Sequence, residues 1–340
     1  MYSRPFYFDN FTKVYNFVAM KHLPIAIISL FALILISCDS KSYRNADGAA
    51  WGTTYHIKYN ADKDLSDSVV AEMRRVELSL SMFDAQSLIS RINRNETDSV
   101  DGYLLSVFKT AKRVNRASDG YFDPTVAPLV DLWGFGRKGR KVETPDSAAV
   151  AQALNRVGLK KCFIADGKMV KDNSEIEFDF SAIAKGFGVD CIASMLRRNG
   201  CTDYMVEVGG EISLSGLNPH GEKWNIQIDA PTAKSVGDES LMMLKLTDCA
   251  IASSGNYRNY RKLEGDSVVG HTIDPLTGYP RATNVLSATV IAPTCALADA
   301  MATSLMLLPD DKAEKLVKSF PSTRAIVAIA TPDSLKIVEY

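Results

Sequence analysis

The chain has 340 residues, of which 46% are hydrophobic and 23% charged, and this composition excludes a disordered chain, a fibrous repeat and a multi-span membrane protein. Its 39 Lys and Arg residues nearly balance 40 Asp and Glu residues, so the sequence carries no whole-chain electrostatic footprint for nucleic acid. Six cysteines are too few for a disulfide scaffold, and four histidines argue against a His-rich metal centre.

The N-terminal part is typical of an export signal. Residues 23–37 form an uncharged apolar run that follows Lys21 and His22. The run is shorter than the ~20 apolar residues that a membrane-spanning helix needs. It ends in Leu35-Ile36-Ser37-Cys38, the pattern of a bacterial lipobox, which predicts that Cys38 is lipidated and becomes the mature N-terminus. A plain signal peptide or a signal anchor is the alternative.

The chain is therefore divided into four predicted segments. They are an upstream extension over residues 1–19 that is not normally translated, a lipoprotein signal peptide over 20–37, a polar tether over 38–49 and a catalytic unit over 50–340. Asp39, next to the lipidated cysteine, resembles an inner-membrane retention signal. The sequence thus predicts a lipid-anchored protein of the cell envelope, on the periplasmic side of the inner membrane.

Hydrophobic periodicity predicts helices and strands in alternating blocks. The predicted helices cover residues 65–82, 104–117, 145–157, 182–199, 296–308 and 311–318. The predicted strands cover residues 53–59, 162–165, 169–171, 204–208, 211–215, 224–229, 241–246, 249–252, 286–291, 324–328 and 335–338, and residues 121–136 are predicted as an ordered loop. Runs of strands with helices inserted in blocks predict an α+β fold of mostly antiparallel sheets with packed helices, in one compact catalytic unit.

Asp299 and Thr303 are four residues apart on a predicted apolar helix, so their oxygens project from one face. A buried carboxylate without partners costs several kcal/mol. A hard cation such as Mg²⁺ would relieve that cost and also bind substrate phosphates. The alternative is an Asp that is hydrogen-bonded to backbone and a Thr that bonds back to its own helix.

Two further segments carry candidate polar groups. Residues 179–186 place Asp179 and Ser181 at a predicted helix start with Lys185 in the first turn, where unpaired N–H groups and the helix dipole suit a phosphate. An ordinary helix cap is the alternative. Residues 270–278 place His271 beside an Asp-Pro turn, where the imidazole is either a general base or a structural group.

The segment Val208-Gly209-Gly210-Glu211 predicts a strand end where a backbone or a ligand comes close. It is not GxGxxG and more strand follows it, which excludes a dinucleotide-binding Rossmann unit. Residues 253–257 are interpreted as a polar loop without an assigned role.

Taken together and in order, eight segments resemble those of the ApbE family, flavin transferases that move FMN from FAD onto proteins. The segments are WGTTYHI, LSLSMFDAQSLISRIN, DGYFDPTVAPLVDLWGFG, DFSAIAKGFGVD, VEVGGEI, SSGNYRNY, HTIDPLTG and ALADAMATSL. The resemblance runs from Trp51 to Leu308 and implies an ApbE/T-fold-like architecture.

The resemblance also implies FAD as substrate and Mg²⁺ as cofactor. The implied metal ligands are Asp299, Thr303 and the backbone carbonyl of Ala182. The implied flavin and adenine contacts come from Trp51, Phe83, Tyr121, Phe122, Asp123, Asp179, Lys185 and Ile273. Two positions depart from the family pattern, because Trp51 replaces the usual Met and Phe83 replaces a frequent Tyr. Phe83 can stack on a ring but donates no hydrogen bond.

The implied activity is the Mg²⁺-dependent transfer of FMN from FAD to a Thr or Ser hydroxyl of an acceptor protein, with release of AMP. His271 is the candidate base for that hydroxyl. The expected acceptors are redox proteins of the membrane or periplasm, reached through the lipid anchor, and no nucleic acid is expected as a partner. Two alternatives stay open. A flavin pyrophosphatase would use water instead of the hydroxyl. A non-catalytic flavin-binding lipoprotein would need no metal, and the Asp299–Thr303 pair argues against this second alternative.

Overall fold

A broad antiparallel sheet organises the chain. The computed structural model describes residues 42–136, 144–231, 240–255, 260–262, 268–270, 272–281, 283–332 and 334–340. Its strands are β1 (Tyr43–Ala50), β2 (Thr53–Asn60), β3 (Cys162–Ala165), β4 (Lys168–Lys171), β5 (Tyr204–Val208), β6 (Glu211–Ser215), β7 (Trp224–Asp229), β8 (Ser240–Leu246), β9 (Ala250–Gly255), β10 (Tyr260–Lys262), β11 (Val268–Gly270), β12 (Val285–Ala292), β13 (Arg324–Ala330) and β14 (Leu335–Glu339). Eight of them form one sheet in the order β1-β2-β5-β6-β9-β12-β13-β14, and all neighbours in it are antiparallel.

The helices are mostly those that the periodicity predicts. They are α1 (Ser66–Leu80), α2 (Leu88–Asn93), α3 (Gly102–Ala117), α4 (Ala127–Leu132), α5 (Ser147–Leu154), α6 (Ala184–Arg198), α7 (Cys295–Leu305) and α8 (Asp310–Lys318). Side-chain caps fix where several begin: Asp101 accepts from the Leu104 N–H at 2.8 Å before α3, and Asp146 accepts from the Ala149 N–H at 2.7 Å before α5. The predicted α+β fold, with mostly antiparallel strands and packed helices, is confirmed.

The two faces of the sheet have different covers, because successive strand residues point to opposite sides. Val206 of β5 and Ala252 of β9 belong to the apolar clusters that contain α1, α3, α6 and α7 residues. Leu214 and Ile251 point to the other face, where they pack with Trp224 of the β7–β8 hairpin. We call these two sides the helix face and the hairpin face.

The tether prediction is wrong for residues 43–49, which lie in β1. Strand β1 pairs with β2 along its whole length, from Tyr43 opposite Asn60 to Ala50 opposite Thr53. Ala46 is its one buried side chain, so β1 lacks the alternation that reveals a strand in a sequence. Backbone hydrogen bonds to β2 decide its structure.

The loop predictions are wrong in two places. Residues 121–136 contain α4, with Pro128 in its first turn, where the missing N–H of proline costs no helical hydrogen bond. Ser253 and Ser254 belong to β9, which continues to Gly255 instead of ending at Ala252. In both places residues that favour turns are held in regular structure by their neighbours.

The described cysteines are all free thiols, and Cys162, Cys201 and Cys295 are buried. Buried free cysteines such as these three act as small apolar residues in the core. Among the described residues, no helix combines the length and the apolar character needed to cross a bilayer. The described part from Ser42 to Tyr340 forms one compact unit.

Candidate functional site

A cleft of about 1450 Å³ gathers most of the residues that the sequence predicts for a site. The predicted residues that line it are Phe83, Tyr121, Phe122, Asp123, Asp179, Ala182, Lys185, Ile273, Asp299 and Thr303. Cys38 and His271 lie outside the described residues. Positions that are far apart in the sequence therefore converge on one cleft.

Asp299 lies at the junction of α7 and the start of α6. The residue is 5% exposed, and its Oδ2 accepts a hydrogen bond from the backbone N–H of Gly186 at 3.0 Å. No other hydrogen bond to this carboxylate is found within the described residues. Burial raises the pKa of the Asp299 carboxyl, and the positive charge of Lys185 and the Gly186 N–H oppose that rise.

Thr303 is one helical turn from Asp299 on the same side of α7. Its Oγ1 lies 3.2 Å from Oγ of Ser254 at the end of β9. The alternative of a Thr bonded back to its own helix is not observed here, whereas the neighbouring Ser304 donates to the Ala300 carbonyl at 2.8 Å. The Thr303 hydroxyl therefore belongs to the polar lining of the cleft.

The carbonyl of Ala182 is released by the way α6 begins. The helix begins at Ala184, two residues later than predicted, and Ala182 lies in the turn before it. In a regular helix the Gly186 N–H would bond to the carbonyl four residues earlier, that of Ala182. Asp299 takes that N–H instead, and the Ala182 carbonyl accepts no backbone hydrogen bond from the described residues. The same contact thus orients Asp299 and leaves a free carbonyl on the cleft lining.

These oxygens form a donor set that fits Mg²⁺. A carboxylate, a hydroxyl and a carbonyl are hard ligands, and Mg²⁺ is typically held by few protein groups together with water and substrate phosphates. The described residues contain no group of three or more His, Cys, Asp or Glu side chains placed to hold a metal. A metal bound at Asp299, Thr303 and Ala182 would therefore depend on oxygens of the substrate.

Lys185 has a buried counter-charge that the sequence reasoning missed. Its Nζ lies 2.5 Å from Oε1 of Glu211, which begins β6 and is 3% exposed. Burial and the nearby Asp299 raise the pKa of the Glu211 carboxyl, and Lys185 opposes this shift. Burial lowers the pKa of Lys185, but the charges of Glu211 and Asp299 outweigh it, so the net shift is upward. The unfavourable place of a lysine in the first turn of α6 was the signal that such a partner exists.

One oxygen of Glu211 is left over from this ion pair. Its Oε2 is buried and has no hydrogen-bond partner in the part of the chain that the structure describes. A buried acceptor without a partner costs about 1–3 kcal/mol. A hydrogen-bond donor of a bound ligand would remove this cost, so the Lys185–Glu211 pair is better suited to a ligand site than to a purely structural role.

Asp179 shapes the turn that precedes α6. Its Oδ1 accepts a hydrogen bond from the Ser181 N–H at 2.8 Å, and its own N–H donates to the Pro124 carbonyl at 2.6 Å. The carboxylate thus acts as a local cap of the turn and also lines the cleft. Asp179 is thus compatible with both interpretations of the motif, as an ordinary cap and as a residue of the site.

Asp123 organises the loop behind the cleft. Its Oδ1 accepts from the N–H and the hydroxyl of Thr125 at 2.9 and 2.5 Å, and its Oδ2 accepts from the Leu159 N–H at 2.8 Å. Burial raises the pKa of the Asp123 carboxyl, and the hydrogen bonds from Thr125 and Leu159 oppose that rise. Both oxygens serve the protein itself, so a ligand would have to share one of them.

The aromatic residues of the predicted site differ in exposure. Phe83 is 73% exposed on the cleft lining, which suits stacking on a planar ring. Tyr121 lies beside the cations of Arg281 and Lys312, at 5.4 and 5.3 Å from its ring centre. Phe122 is buried in the main core and also borders the cleft.

The predicted Asp-Pro turn forms the wall beside Ile273. The Gly278 N–H donates to the Asp274 carbonyl at 2.8 Å, and Nε1 of Trp133 donates to the Gly278 carbonyl at 2.8 Å. Gly278 has φ of +80°, which favours glycine. Ile273 is buried against Leu129 and Trp133 and presents an apolar edge to the cleft.

Trp51 is the predicted cofactor contact that the structure does not bring to the cleft lining. Its ring lies against Gly188 of α6, where a methyl group on Gly188 would meet the indole at 2.2 Å. The residue joins the apolar clusters on the helix face. Trp51 therefore packs against α6, and its role as a cofactor contact stays a prediction.

Comparison with known proteins decides the family. The sequence model of the ApbE family matches residues 51–327. The chain belongs to the ApbE family. It is similar to an FAD:protein FMN transferase of Vibrio cholerae, with 35% identity over 332 residues, which cover 93% of this chain and 96% of that protein. It is also similar to an FAD:protein FMN transferase of Escherichia coli, with 30% identity over 308 residues, covering 84% and 87% of the two chains.

Solved ApbE structures share the fold. The flavin transferase ApbE from Vibrio cholerae superposes with a TM-score of 0.78 at 33% identity, covering 88% of this chain and 97% of the other. The apo form of the Pseudomonas stutzeri flavinyl transferase ApbE gives a TM-score of 0.77 at 26% identity, covering 88% and 95%. The ApbE-like architecture implied by the sequence is confirmed over 88% of the chain.

Proposed function

We propose that this chain transfers FMN from FAD to a Ser or Thr hydroxyl of an acceptor protein in a Mg²⁺-dependent reaction that releases AMP. The observation that carries the proposal is the convergence of Asp299, Thr303 and the free Ala182 carbonyl on one cleft beside Lys185. The ApbE relatives named FAD:protein FMN transferase support the same activity.

The chain's own groups have distinct tasks in this reaction. The exposed Phe83 ring stacks on a planar ring of FAD, and the Lys185 ammonium lies on the side of the cleft that receives the anionic diphosphate. Asp299, Thr303 and the Ala182 carbonyl would hold Mg²⁺, which when bound supplies polarisation of the phosphoryl oxygens and neutralises developing charge.

The bond changes are those of a phosphoryl transfer. The acceptor hydroxyl oxygen forms a bond to the FMN phosphorus, and the bond from that phosphorus to the AMP oxygen breaks. The hydroxyl proton passes to a base, for which His271 is the candidate from the sequence. The products are AMP and an acceptor that carries FMN through a phosphoester.

The test mixes the purified protein with FAD, Mg²⁺ and the flavin-free form of an envelope redox protein from the same organism that normally carries covalent FMN. We expect a fluorescent flavin band at the mass of the acceptor in a denaturing gel, with one AMP released for each FMN bound. Release of free FMN without a labelled acceptor would instead establish an FAD pyrophosphatase. Binding of FAD without cleavage would establish a non-catalytic flavin-binding protein.

We further propose that the chain is held at the outer side of the inner membrane through Cys38, close to membrane or periplasmic acceptors. The lipobox that ends at Cys38 and the lack of charge in residues 23–37 support this. A single acyl chain binds membranes only reversibly, whereas two or more anchor a protein stably.

Replacing Cys38 with Ala is expected to move the protein from the membrane fraction to the soluble fraction, or to leave an uncleaved precursor. Ser40→Ala, two residues further on, is the matched control and should fractionate like the wild type. Metabolic labelling with a fatty-acid analogue measures the modification directly. A Cys38→Ala variant that is processed, labelled and sedimented like the wild type would exclude lipidation at this residue.

A further inference from the structure

The cleft extends beyond the helix-face groups to the hairpin face of the sheet. Tyr55 and Ile57 of β2 are buried on the helix face, so the residue between them, His56, projects to the opposite side. His56 stands opposite Asp47 of β1 and Glu207 of β5 in the sheet register, and side chains opposite each other share a face. We define the strand arm of the cleft by Thr54, His56, Met205, Glu207, Gln227 and Asp229, all of which line it.

The size of the cleft leaves room for a second reactant. Its volume is about 1450 Å³. Sites for one small ligand typically measure ~300–1,000 Å³. A transferase must hold the acceptor group next to the donor, and the strand arm is continuous with the groups around Asp299.

The charges of the strand arm are unsuited to FAD phosphates. Glu207 and Asp229 are acidic, and none of the described residues that define the arm is Lys or Arg. The imidazole of His56 lies 2.9 Å from Asp47 in an exposed pair. Lys185 lies at the other part of the cleft. Lys185, together with Mg²⁺ held by the donor set at Asp299, would direct the anionic diphosphate to that part of the cleft, which leaves the strand arm to a partner that donates hydrogen bonds.

Glu207 presents such an acceptor in a fixed position. Its Oε1 accepts from the Gly210 N–H at 2.7 Å, which holds the side chain. Its Oε2 is buried and has no hydrogen-bond partner among the described residues. An unused carboxylate oxygen costs free energy that an incoming N–H donor would recover.

From these observations we infer that the strand arm binds the acceptor polypeptide in an extended conformation, with a backbone N–H of the acceptor donated to Glu207 Oε2. Thr54 and His56 are two residues apart on β2 and therefore lie on the same face. An acceptor segment in an extended conformation has the same two-residue repeat, so its backbone groups can face both side chains. This inference rests on the proposed function and adds to it the surface that recognises the protein substrate.

The test compares steady-state transfer by the wild type and Glu207→Gln, with the flavinylated acceptor identified by in-gel fluorescence as the varied substrate. Gln keeps the oxygen that accepts from Gly210 but puts an NH₂ donor where Oε2 stood. We expect the KM for the acceptor to rise roughly tenfold, since an N–H donor is left facing a donor. The FAD dissociation constant, measured by flavin fluorescence, should stay within about twofold because Glu207 lies on the hairpin face, whereas Lys185 contacts Glu211 on the helix face.

Two further variants secure the interpretation. Gln227→Ala removes an exposed side chain of the same arm and should cause a smaller rise in the KM for the acceptor. If Glu207→Gln does not fold, the KM of Gln227→Ala tests whether the strand arm binds the acceptor. Glu222→Gln changes an exposed carboxylate that pairs with Lys245 at 3.3 Å, outside the cleft lining, and is the matched control. It should transfer FMN with the constants of the wild type.

The outcomes separate this inference from the proposed function. If the wild type labels the acceptor and the strand-arm variants label it with an unchanged KM, the inference is overturned and the function stands. If Glu207→Gln weakens FAD binding and leaves the acceptor KM unchanged, the arm holds part of FAD and the inference is equally overturned. If the wild type cleaves FAD but labels no acceptor, the proposed transfer fails and the inference falls with it.

Discussion

Replacing Asp299 with Ala is expected to abolish FMN transfer while the chain still folds. The carboxylate is the one charged ligand of the proposed Mg²⁺ donor set, and metal assistance supplies several kcal/mol of charge stabilisation in the transition state. At ~1.4 kcal/mol for each factor of ten, transfer should fall by roughly 100-fold or more. The fold should survive because the variant removes a buried charge instead of stranding one.

Asp299→Asn is the matched control for stability, because its side-chain oxygen can still accept the Gly186 N–H. It should melt close to the wild type and yet fail in transfer, whereas Asp299→Ala also loses the acceptor of that N–H, worth about 1–3 kcal/mol.

Thr303→Val should lower the rate and raise the Mg²⁺ concentration needed for half-maximal activity. A chelator should silence the wild type, and added Mg²⁺ should restore it. FAD cleavage by Asp299→Ala that resists chelator would exclude both the metal site and the mechanism built on it.

Replacing Gly186 with Ala should destabilise the protein and impair transfer together. A methyl group at this position would lie 2.4 Å from the Cys295 carbonyl oxygen and 2.8 Å from Cβ of Asp299. Because the first contact is with backbone, α6 and α7 must separate, at a cost of about 3 kcal/mol, the upper part of the range for overpacked cores. This outweighs the ~1 kcal/mol by which Ala is favoured over Gly inside a helix.

The net loss of about 2 kcal/mol should lower the melting temperature by roughly 4 °C or more. Separation of the helices also draws the Gly186 N–H away from Asp299, so transfer should fall at least tenfold. The control is Gly102→Ala, at the first residue of α3, where an added methyl group meets nothing within 4 Å. Its melting temperature should match or slightly exceed that of the wild type. If Gly186→Ala melts and transfers FMN like the wild type, the close contact of α6 and α7 is not what positions Asp299.

Several parts of the site could be predicted from local sequence because their geometry is local. Asp299 and Thr303 share a face through the helical repeat, and the Asp274–Gly278 turn follows from residues that favour turns. The buried strands of the sheet could also be predicted, because the alternation of apolar and polar residues that marks a strand is visible in a few consecutive residues. Strand β1 could not, because its polar residues are exposed at the sheet edge and only pairing with β2 fixes them.

The sequence by itself determined the α+β class, most helices and strands, the family and ten of the residues that line the cleft. Only the tertiary structure decided that Glu211 is the partner of Lys185, that Trp51 packs against α6 and that Asp299 takes the Gly186 N–H and so frees the Ala182 carbonyl. Each of these is a contact between segments far apart in the chain. Periodicity and turn chemistry report which residues are neighbours on one element. They carry no information on which buried donor will find which acceptor, because that pairing is set by how α6, α7 and β6 pack together.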